Sequence, residues 1–451
     1  MQRPITSHQK KLSALCAIVG AESTSKELES IQVSGISQAS NAVLPGDLFI
    51  ALPGQKVHGA QFAAEAISRG AVAVLTDVNG AKEIKGVPVL VSTNPRRAAG
   101  IASAWFYSEP MRDLYSVGVT GTNGKTTVTT LLRERHMRNL IMEVSSHAIT
   151  LERIRGSHFA VVGFTNLSQD HLDFHKDMED YFAAKAKLFT FEYADLAVIN
   201  LDNPYGKRLA AQTELPVVTL SRLDSSATWH YASIASDYVG ASVSIRGSGG
   251  ILIEGKTALH GGFNYDNLLM AVAIAVESGI DPLDIAASLP TLTGAAGRLE
   301  AVRLGQNFTA LVDYAHSPDA VKRVLEAAAE ITDGKVIAVL GCGGDRDKTK
   351  RTLMGQALHE GADIAIYTSD NPRSEKAEDI LVQMVLDIDV VPPSEVIVDR
   401  AQAIRTAVNL AQAGDVVMVL GKGHEKGQEI NGKVHEFDDR IELAKAIEDK
   451  K

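Results

Sequence analysis

The chain has 451 residues, of which 45% are hydrophobic and 22% charged, and its formal net charge is −10. This length predicts about three domains whose cores need no disulfide or metal for stability. An acidic chain without a basic face or tail is not expected to bind nucleic acid. The two cysteines, Cys16 and Cys342, form neither a disulfide framework nor a zinc spacing. No apolar stretch reaches the ~18 residues that span a bilayer, so we expect a cytoplasmic protein without membrane insertion.

The N-terminal part alternates short apolar runs with Gly and Pro turns. The run at 47–52 ends in Pro53-Gly54, a helix-like stretch covers 60–68, and a strand-like apolar run covers 71–75. This pattern predicts a small α/β domain, which we place at residues 1–107.

A Gly-rich segment follows the β-branched run at 114–120 and precedes a helix-like stretch that starts at Lys125. Glycines let backbone N–H groups approach phosphate oxygens, the lysine neutralises the β- and γ-phosphates, and a hydroxyl binds Mg²⁺. The first glycine of the strict P-loop pattern is missing, and the alternative is a tight turn with a chance lysine. The order of strand, loop and helix favours an ATP site. Its predicted members are Gly121, Thr122, Asn123, Gly124, Lys125, Thr126 and Thr127.

Apolar runs at 160–164 and 196–199 continue this central region, and a Gly, Pro and Thr-rich stretch at 290–297 is suited to a hinge. We therefore predict a central P-loop-type mononucleotide-binding domain at 108–296.

Three apolar runs in the last third, at 336–340, 362–367 and 416–420, predict buried parallel strands. A polar loop follows each run. Because ligands bind beyond the carboxyl ends of strands in open α/β sheets, the three loops are expected to open on one crevice. This part, 297–451, is predicted to be a Rossmann-like domain. The predicted fold class is a three-domain α/β protein with mostly parallel sheets.

The Gly-Thr-Asn-Gly-Lys-Thr-Thr segment resembles the ATP loop of the Mur ligase family and of folylpolyglutamate synthases. Further segments match the Mur ligase pattern in the expected order along nearly the whole chain. They are Met142–His147, Phe164–Asp173, Gly262–Asn264, Gly297–Arg298, Val312–Pro318 and Asp370–Arg373. Together they resemble the members that add the third residue of the peptidoglycan stem peptide.

This resemblance implies a monomeric, ATP-dependent amide ligase of peptidoglycan biosynthesis. It would add meso-2,6-diaminopimelate to UDP-N-acetylmuramoyl-L-alanyl-D-glutamate (UDP-MurNAc-L-Ala-D-Glu) through an acyl phosphate. Three alternatives stay open: the same ligase adding L-lysine, a folylpolyglutamate-synthase-like ligase, and a nucleotide-binding protein without catalysis.

The resemblance also implies a Mg²⁺ site and three catalytic residues, Lys125, Lys185 and His147. The metal ligands would be Thr126, Glu143, His147 and Lys185, the last as a carbamate. Taken alone, Glu143 is typical of a solvated acid, and Lys185, in an amphipathic helix, of an exposed lysine. Lys187 is the neighbour to be distinguished from Lys185.

Further ATP contacts are expected from the resemblance, with Asp313 on a ribose hydroxyl and Asn264 near the adenine. These further ATP-binding residues are Asn166, Asn267, Arg298 and Asp313. Turn or cap duty is the alternative for the asparagines.

The C-terminal loops offer two arginine forks that suit carboxylates and one carboxylate that suits an ammonium group. The predicted amino-acid-binding residues are Arg346, Asp370, Asn371, Pro372, Arg373, Gly421 and Glu425. A substrate with two carboxylates and two amines, meso-diaminopimelate, fits this set better than lysine.

The same resemblance implies that the UDP-precursor contacts Ser37, Gln55, Ser145 and Arg153. Gln38 stands where many relatives have arginine. Only 17 residues separate Lys125 from Glu143, whereas relatives have several tens more. Either a stretch is omitted from the sequence or the protein has a true deletion, which would weaken precursor binding.

Overall fold

The computed structural model of the protein describes residues 9–54, 57–133, 140–169, 171–172, 174–237, 240–292 and 294–450. The chain forms two compact units. The first contains the described residues of 1–122, 138–197 and 209–217, and the second those of 123–137, 198–208 and 218–451. Across these described ranges, no helix is both long enough and apolar enough to cross a membrane.

The first unit contains short strands and helices in alternation. Its strands are Lys10–Lys11, Glu22–Ser23, Gln32–Val33, Gly35–Ser37, Asp47–Ile50, Ala73–Thr76, Val89–Val91, Ser116–Thr120, Leu140–Glu143 and Phe159–Phe164. Its α-helices are Leu12–Val19, Ala63–Ser68, Val78–Ala81, Pro95–Phe106, Ser146–Thr150 and Met178–Ala186, and its 3₁₀ turns are Ser40–Ala42, Gly59–Phe62 and Pro110–Arg112. The elements Ala194–Asn200, Pro204–Gln212 and Val217–Ser221 contain residues of both units.

A five-stranded sheet lies in the N-terminal part of the first unit. Its strands follow the order Glu22–Ser23, Val89–Val91, Ala73–Thr76, Asp47–Ile50 and Gly35–Ser37. All neighbours are parallel except the pair formed by Glu22–Ser23. All four residues of Asp47–Ile50 are buried, as expected for a strand covered on both faces. The α/β character predicted for this part is confirmed, while its extent as a separate domain stays a prediction.

The helix predicted over 60–68 is confirmed, although it starts as a 3₁₀ turn. Residues Gly59–Phe62 form that turn, and Ala63–Ser68 continue as α-helix. The His58 ring accepts a hydrogen bond from the Ala60 N–H at 3.0 Å and so caps the first turn.

Strand Ser116–Thr120 pairs in parallel with Phe159–Phe164 and with Leu140–Glu143. In this register Thr120 lies opposite Phe164, and Val119 lies opposite Glu143. The three strands therefore end at one edge of the sheet, from which their following loops leave.

The second unit contains two groups of strands. They are Trp229–Asp237, Gly240–Arg246 and Leu252–Thr257, and then Glu300–Ala301, Thr309–Asp313, Val336–Cys342, Ile364–Ser369, Glu395–Ile397, Val416–Leu420, Gly427–Ile430 and Lys433–Glu436. Its α-helices are Lys125–Arg133, Gly262–Glu277, Pro282–Ser288, Pro318–Glu330, Thr349–Gly361, Ala377–Met384, Arg400–Leu410 and Asp439–Lys450, and its 3₁₀ turns are Ser248–Gly250 and Leu289–Thr291.

The C-terminal sheet has the strand order Glu300–Ala301, Thr309–Asp313, Val416–Leu420, Val336–Cys342, Ile364–Ser369 and Glu395–Ile397. Every neighbouring pair is parallel except the first. Separate apolar clusters cover the two faces, one around Leu340 and Leu358, the other around Val339 and Ile404. The three predicted strands are therefore confirmed as buried and parallel, and the α/β class with them. The boundaries at 107 and 296 stay a prediction.

Candidate active site

The Gly-rich loop joins strand Ser116–Thr120 to helix Lys125–Arg133, the order that its sequence predicts. Gly124 has a φ of +85°, a conformation that disfavours side chains. A Cβ added there would lie 3.1 Å from Cγ of Asn267 and still closer to its Oδ1. Glycine is thus required at 124 by both its backbone and the approach of Asn267.

Helix Lys125–Arg133 buries its apolar side through Val128, Leu131 and Leu132. Lys125 is half-buried and Thr126 exposed at the first turn. The free N–H groups and the dipole of a helix start attract anions. Both side chains thus stand where a phosphate group would meet the helix.

Residues Gly121 and Thr122 are fixed within the first unit by the segment after strand Phe159–Phe164. The Thr122 N–H donates to the Asn166 carbonyl at 2.9 Å, and the Thr122 hydroxyl donates to the Ser168 carbonyl at 3.1 Å. A Cβ on Gly121 would overlap the Thr165 hydroxyl. These contacts bring Asn166, a predicted ATP contact, beside the start of the loop through its main chain.

The expectation that Lys185 is an exposed helix lysine is wrong. It lies in the last turn of helix Met178–Ala186 and exposes 1% of its surface. Its Nζ donates to the Gly121 carbonyl at 2.8 Å and lies 4.8 Å from the centre of the Tyr181 ring. Lys187 is exposed. Of the two lysines, Lys185 is therefore the one directed at the Gly-rich loop, a long-range contact that helix periodicity does not encode.

The remaining predicted metal ligands of the first unit lie near the same sheet edge. Glu143 is the last, exposed residue of its strand. His147 is half-buried in helix Ser146–Thr150, with its ring stacked on Phe174 at 4.0 Å and edge-on to His171 at 4.9 Å. Over the described ranges, no group of three or more His, Cys, Asp or Glu side chains is placed to hold a metal ion.

The chemistry of these donors tests whether they suit Mg²⁺, which prefers oxygen ligands. The Glu143 carboxylate and the Thr126 hydroxyl fit. A Lys185 ammonium does not fit beside a divalent cation, whereas a carbamate on the same nitrogen would supply oxygen donors. Three of the four predicted ligands thus offer oxygen to Mg²⁺ when Lys185 is carbamylated, whereas the His147 ring offers nitrogen.

A buried histidine that the sequence reasoning missed ties two of these segments together. His175 is 2% exposed and bonds Ser146 Oγ through Nε2 at 2.9 Å and Asp180 Oδ2 through Nδ1 at 3.1 Å. The hydrogen bond to His175 lowers the pKa of Asp180. Ser146 begins the helix of His147, and Asp180 lies in the helix of Lys185, so His175 fixes both helices. No local pattern signals this role, because Ser146 lies 29 residues away in the chain.

Helix Gly262–Glu277 is buried along most of its length and carries Asn264 and Asn267. The Asn264 amide donates to the His260 carbonyl at 3.0 Å, while its buried Oδ1 has no hydrogen-bond partner among the described residues. A buried, unsatisfied acceptor is rare and favours a missing ligand or water. A contact of Asn264 with ATP stays a prediction.

Asp313 ends strand Thr309–Asp313 with both carboxylate oxygens engaged. They accept the N–H groups of Leu299 and Ala315 at 2.8 Å each. Burial raises the pKa of Asp313, although these backbone bonds favour the charged form. Arg298 lies over the Tyr314 ring, 5.1 Å from its centre. Asp313 thus orders the segment that carries Arg298.

The three polar loops of the C-terminal sheet meet as predicted. A Cβ on Gly344 would overlap the Pro372 carbonyl, and the Gly344 N–H donates to the Asn371 carbonyl at 2.8 Å. From the third loop, Lys422 Nζ donates to Asn371 Oδ1 at 3.2 Å. The loops after strands Val336–Cys342, Ile364–Ser369 and Val416–Leu420 therefore share one site.

Arg373 has a φ of +52°, a conformation that costs a non-glycine residue energy and is typical of functional sites. Its guanidinium donates to the Gly344 carbonyl at 2.7 Å and lies 3.5 Å from Glu429, and its backbone pairs with Ile430. Arg346 is exposed on the neighbouring loop. The hairpin Gly427–Glu436 thus holds the fork of Arg373, a support that the sequence motif did not reveal.

Glu425 faces this site from the third loop. Its Oε2 accepts from Asn371 Nδ2 at 2.9 Å and from Lys422 Nζ at 3.3 Å. Burial alone would raise the pKa of Glu425, but the Asn371 hydrogen bond and the Lys422 charge together lower it. Glu425 is thus held as a carboxylate, the form that binds an ammonium group. Lys422, fully buried beside it, was missed because a lysine in a loop is usually solvated.

The residues predicted at the UDP end are spread over the first unit. Ser37 donates to the Ala39 carbonyl at 2.9 Å, Ser145 caps helix Ser146–Thr150, and Arg153 is exposed. Gln55 lies outside the described residues. Precursor contacts by these four residues stay a prediction.

A Gly-rich strand-loop-helix segment followed by a parallel sheet with three convergent loops defines an α/β nucleotide-binding protein. Comparison with protein families identifies it further. The Mur ligase catalytic-domain model matches residues 32–105, the Mur ligase middle-domain model 132–275, and the glutamate ligase domain model 297–423. The chain belongs to the Mur ligase family.

Individual relatives agree along almost the whole length. A UDP-N-acetylmuramoyl-L-alanyl-D-glutamate–2,6-diaminopimelate ligase of Streptomyces coelicolor is 43% identical, covering 93% of each chain. A ligase of the same name from Streptomyces avermitilis is 41% identical, covering 99% of this chain and 98% of its own. A solved structure of a ligase with that name has a TM-score of 0.72 at 31% identity, covering 98% of this chain and 99% of its own.

A Mycobacterium tuberculosis folylpolyglutamate synthase shares the fold, with a TM-score of 0.55 at 17% identity over 72% of this chain. The alignment with the Streptomyces avermitilis ligase runs over 498 positions, more than the 451 residues of this chain. Part of that relative therefore has no counterpart in this sequence, in agreement with the short spacing between Lys125 and Glu143.

Proposed function

We propose that this protein is an ATP-dependent ligase that joins meso-2,6-diaminopimelate to UDP-MurNAc-L-Ala-D-Glu in peptidoglycan biosynthesis. The observation that carries this proposal is the nearly full-length similarity to ligases of that name, at up to 43% identity. The convergence of Arg373, Asn371 and Glu425 at one edge of the C-terminal sheet supports it independently, because the three groups complement an amino acid.

The reaction has two steps. The γ-carboxylate of the D-glutamyl residue attacks the γ-phosphorus of ATP, so that ADP leaves and an acyl phosphate forms. The amine of diaminopimelate then attacks the acyl carbon, phosphate leaves, and the amine loses a proton as the amide forms. Because the reacting groups come from three substrates, holding them in line supplies much of the rate.

Lys125 would neutralise charge on the transferred phosphoryl group, and the N–H groups of the Gly121–Thr127 loop would bind its oxygens. The half-buried position of Lys125 at the first helical turn suits this role. Asn267 and Asn264 would hold the nucleoside. The unsatisfied Asn264 Oδ1 favours a ligand there. Asp313 and Arg298 would order the ribose end, and Asn166 the loop start.

Bound Mg²⁺ would neutralise negative charge on the phosphate oxygens. We propose Thr126, Glu143, His147 and Lys185 as the residues that hold it, with Lys185 carbamylated. The Lys185 side chain is buried and directed at the Gly121 carbonyl, so its position is fixed before any ligand binds. A carbamate keeps one N–H on that nitrogen, which can continue to donate to the carbonyl.

The amino acid would be held by its charges. Arg373 and Arg346 offer forks for carboxylates, and Glu425, with the backbone of Gly421, accepts an ammonium group. Asp370, Asn371 and Pro372 shape the loop between them. Diaminopimelate has a second carboxylate that lysine lacks. Selection of diaminopimelate over lysine therefore depends on the arginine that binds this second carboxylate.

We further propose that the protein is a cytoplasmic monomer, and that Ser37, Gln55, Ser145 and Arg153 contact the UDP-precursor. ATP, UDP-MurNAc-L-Ala-D-Glu and meso-diaminopimelate would then be its small-molecule partners.

A competition assay tests the substrate assignment. The purified protein is given ATP, Mg²⁺ and UDP-MurNAc-L-Ala-D-Glu with equimolar meso-diaminopimelate and L-lysine. The products are identified and quantified by mass spectrometry. We expect the diaminopimelate product to dominate and phosphate release to require both precursor and amino acid.

Three other outcomes would contradict this proposal. A lysine product would reassign the amino acid. Glutamate incorporation onto a folate substrate would make the enzyme a folylpolyglutamate-synthase-like ligase. ATP binding without turnover under any condition would indicate a nucleotide-binding protein without catalysis.

A further inference from the structure

Lys422 is a fully buried lysine in the loop after strand Val416–Leu420. Its Nζ lies 3.2 Å from Asn371 Oδ1, 3.3 Å from Glu425 Oε2 and 3.6 Å from Asp370 Oδ1. A lysine ammonium has three N–H donors and no acceptor. Two of these donors bond Asn371 and Glu425, and the Asp370 carboxylate lies at ion-pair distance. Lys422 thus links its own loop to the loop that carries Asn371.

The Asn371 amide has its orientation fixed by this contact. Its Oδ1 accepts from Lys422 Nζ and also from the Glu429 N–H at 2.9 Å. Its Nδ2 therefore faces Glu425 and donates to Oε2 at 2.9 Å. Lys422 thus supplies one of the two contacts that hold the Asn371 oxygen in this orientation.

The two oxygens of Glu425 consequently differ. Oε2 accepts from both Asn371 and Lys422, whereas Oε1 is approached, at 3.5 Å, by the Tyr314 hydroxyl. The Glu425 side chain is 37% exposed, in contrast to 11% for Asp370. Oε1 is thus the oxygen with hydrogen-bonding capacity left for a ligand.

The groups around Lys422 carry more negative than positive charge. Arg400 and Asp439 form a buried pair joined by two hydrogen bonds of 2.7 Å each. This leaves the Lys422 ammonium between two carboxyl groups, Asp370 and Glu425. Arg373, a further cation on the loop of Asn371, is engaged by Gly344 and Glu429. Together, Lys422, Asp370 and Glu425 lack one positive charge for neutrality when both carboxyl groups are ionised, and a ligand ammonium would supply that charge.

We infer that Lys422 is a positioning residue of the amino-acid pocket: it fixes Asn371 and one oxygen of Glu425, so that the other oxygen accepts the ammonium group of the incoming amino acid. Lys422 itself does not touch the substrate. This inference rests on the proposed function for the identity of the amino acid, and on the geometry of the loop for the role of Lys422.

The experiment measures binding of meso-diaminopimelate to the full chain by calorimetry, together with binding of ADP. In Lys422→Gln we expect diaminopimelate to bind at least tenfold more weakly, with ADP affinity unchanged. The matched control is Lys348→Gln, which removes an exposed lysine that also pairs with a glutamate, Glu375, at 3.3 Å. Wild-type diaminopimelate affinity in Lys422→Gln would overturn the inference.

A double-variant cycle separates positioning from a general structural role. If Lys422 acts through Glu425, then Lys422→Gln has little further effect on diaminopimelate affinity in a Glu425→Gln background. Effects that simply add, or an equal loss of ADP binding, would overturn the inference. Should Lys422→Gln fail to fold, Lys422→Met is measured in its place, because methionine keeps the length of the side chain without its charge. The same tenfold weakening is expected there, and wild-type affinity would again overturn it.

The ligase assay on the wild-type protein distinguishes this inference from the proposed function. Lys422-dependent binding of diaminopimelate without ligase turnover would support the role of Lys422 and contradict the proposed function. Normal turnover of the wild type, together with unchanged diaminopimelate binding in Lys422→Gln, would support the proposed function and contradict the role of Lys422. Absence of any diaminopimelate binding to the wild type would overturn both.

Discussion

Gly124→Ala is expected to damage the proposed ATP loop for two separable reasons. The first is backbone strain, because Gly124 has a φ of +85°, where an alanine costs about 1–2 kcal/mol. The second is overlap, because the new Cβ would lie 3.1 Å from Asn267 Cγ and closer to Oδ1. Forcing extra volume into a packed site costs about 1–3 kcal/mol more.

A matched control separates the two terms. Gly279 also has a φ of +85°, but a Cβ there meets nothing within 4 Å. Gly279→Ala should therefore lower stability by the strain alone, about 1–2 kcal/mol, and leave kcat/KM for ATP unchanged. Gly124→Ala should lower stability further by the overlap with Asn267.

The catalytic effect of Gly124→Ala follows from the same overlap. If the displaced Asn267 and loop lose about 3 kcal/mol of transition-state stabilisation, kcat/KM for ATP falls on the order of 100-fold, since each 1.36 kcal/mol is tenfold. The measurements are thermal unfolding and ATP-dependent phosphate release for both variants. Equal losses of stability in the two variants, or wild-type ATP kinetics in Gly124→Ala, would refute the reasoning.

Two further predictions concern buried charges. Burial raises the pKa of Asp266 to about 6 despite its ion pair with Arg222, so the native state holds this proton more tightly than the unfolded chain does. The stability that the bound proton contributes is about 3 kcal/mol; it is present below pH 4 and is lost as the pH rises through 6. Asp266→Asn should therefore unfold a few degrees higher than wild type at pH 8 and at the same temperature at pH 4, and a variant no more stable at pH 8 would contradict this. In Lys185→Met, turnover should fall on the order of 100-fold, because methionine has no nitrogen to carbamylate. The unfolding temperature should fall by only a few degrees, since the Gly121 carbonyl loses one donor, a cost of about 1–3 kcal/mol. Lys187→Met is the exposed control, and retained turnover in Lys185→Met would exclude the proposed role.

Much of the C-terminal architecture could be predicted from the sequence because its strands are buried on both faces. The runs at 336–340 and 416–420 are continuously apolar, which local composition reveals directly. Parallel strands place their following loops at one edge, so the meeting of the loops around Gly344, Asn371 and Lys422 followed from the strand assignment. The Gly-rich loop was predictable for a similar reason, since strand, loop and helix are adjacent in the chain.

The buried polar contacts could not be predicted in this way. Lys185 reaches Gly121, and His175 reaches Ser146, across 64 and 29 residues of chain. In both cases the local pattern describes a surface side chain, while the partner is determined by how distant segments pack. The same holds for Lys422, since the sequence shows a lysine in a loop but not which three oxygens it contacts.

Three buried cations, Lys185, Arg400 and Arg351, share a physical reason for their burial. Lys185 donates to the Gly121 carbonyl, Arg400 to the Leu420 carbonyl at 2.9 Å, and Arg351 to the Gly343 carbonyl at 3.4 Å. Each acceptor lies at or just beyond the carboxyl end of a buried strand, where the sheet ladder stops and carbonyl groups remain to be satisfied. A cation placed there satisfies them, but the cost of removing its charge from water offsets much of the stability gained. Such residues are therefore better explained by the loops they hold in place than by the stability they add, and those loops are the ones that the proposed reaction uses.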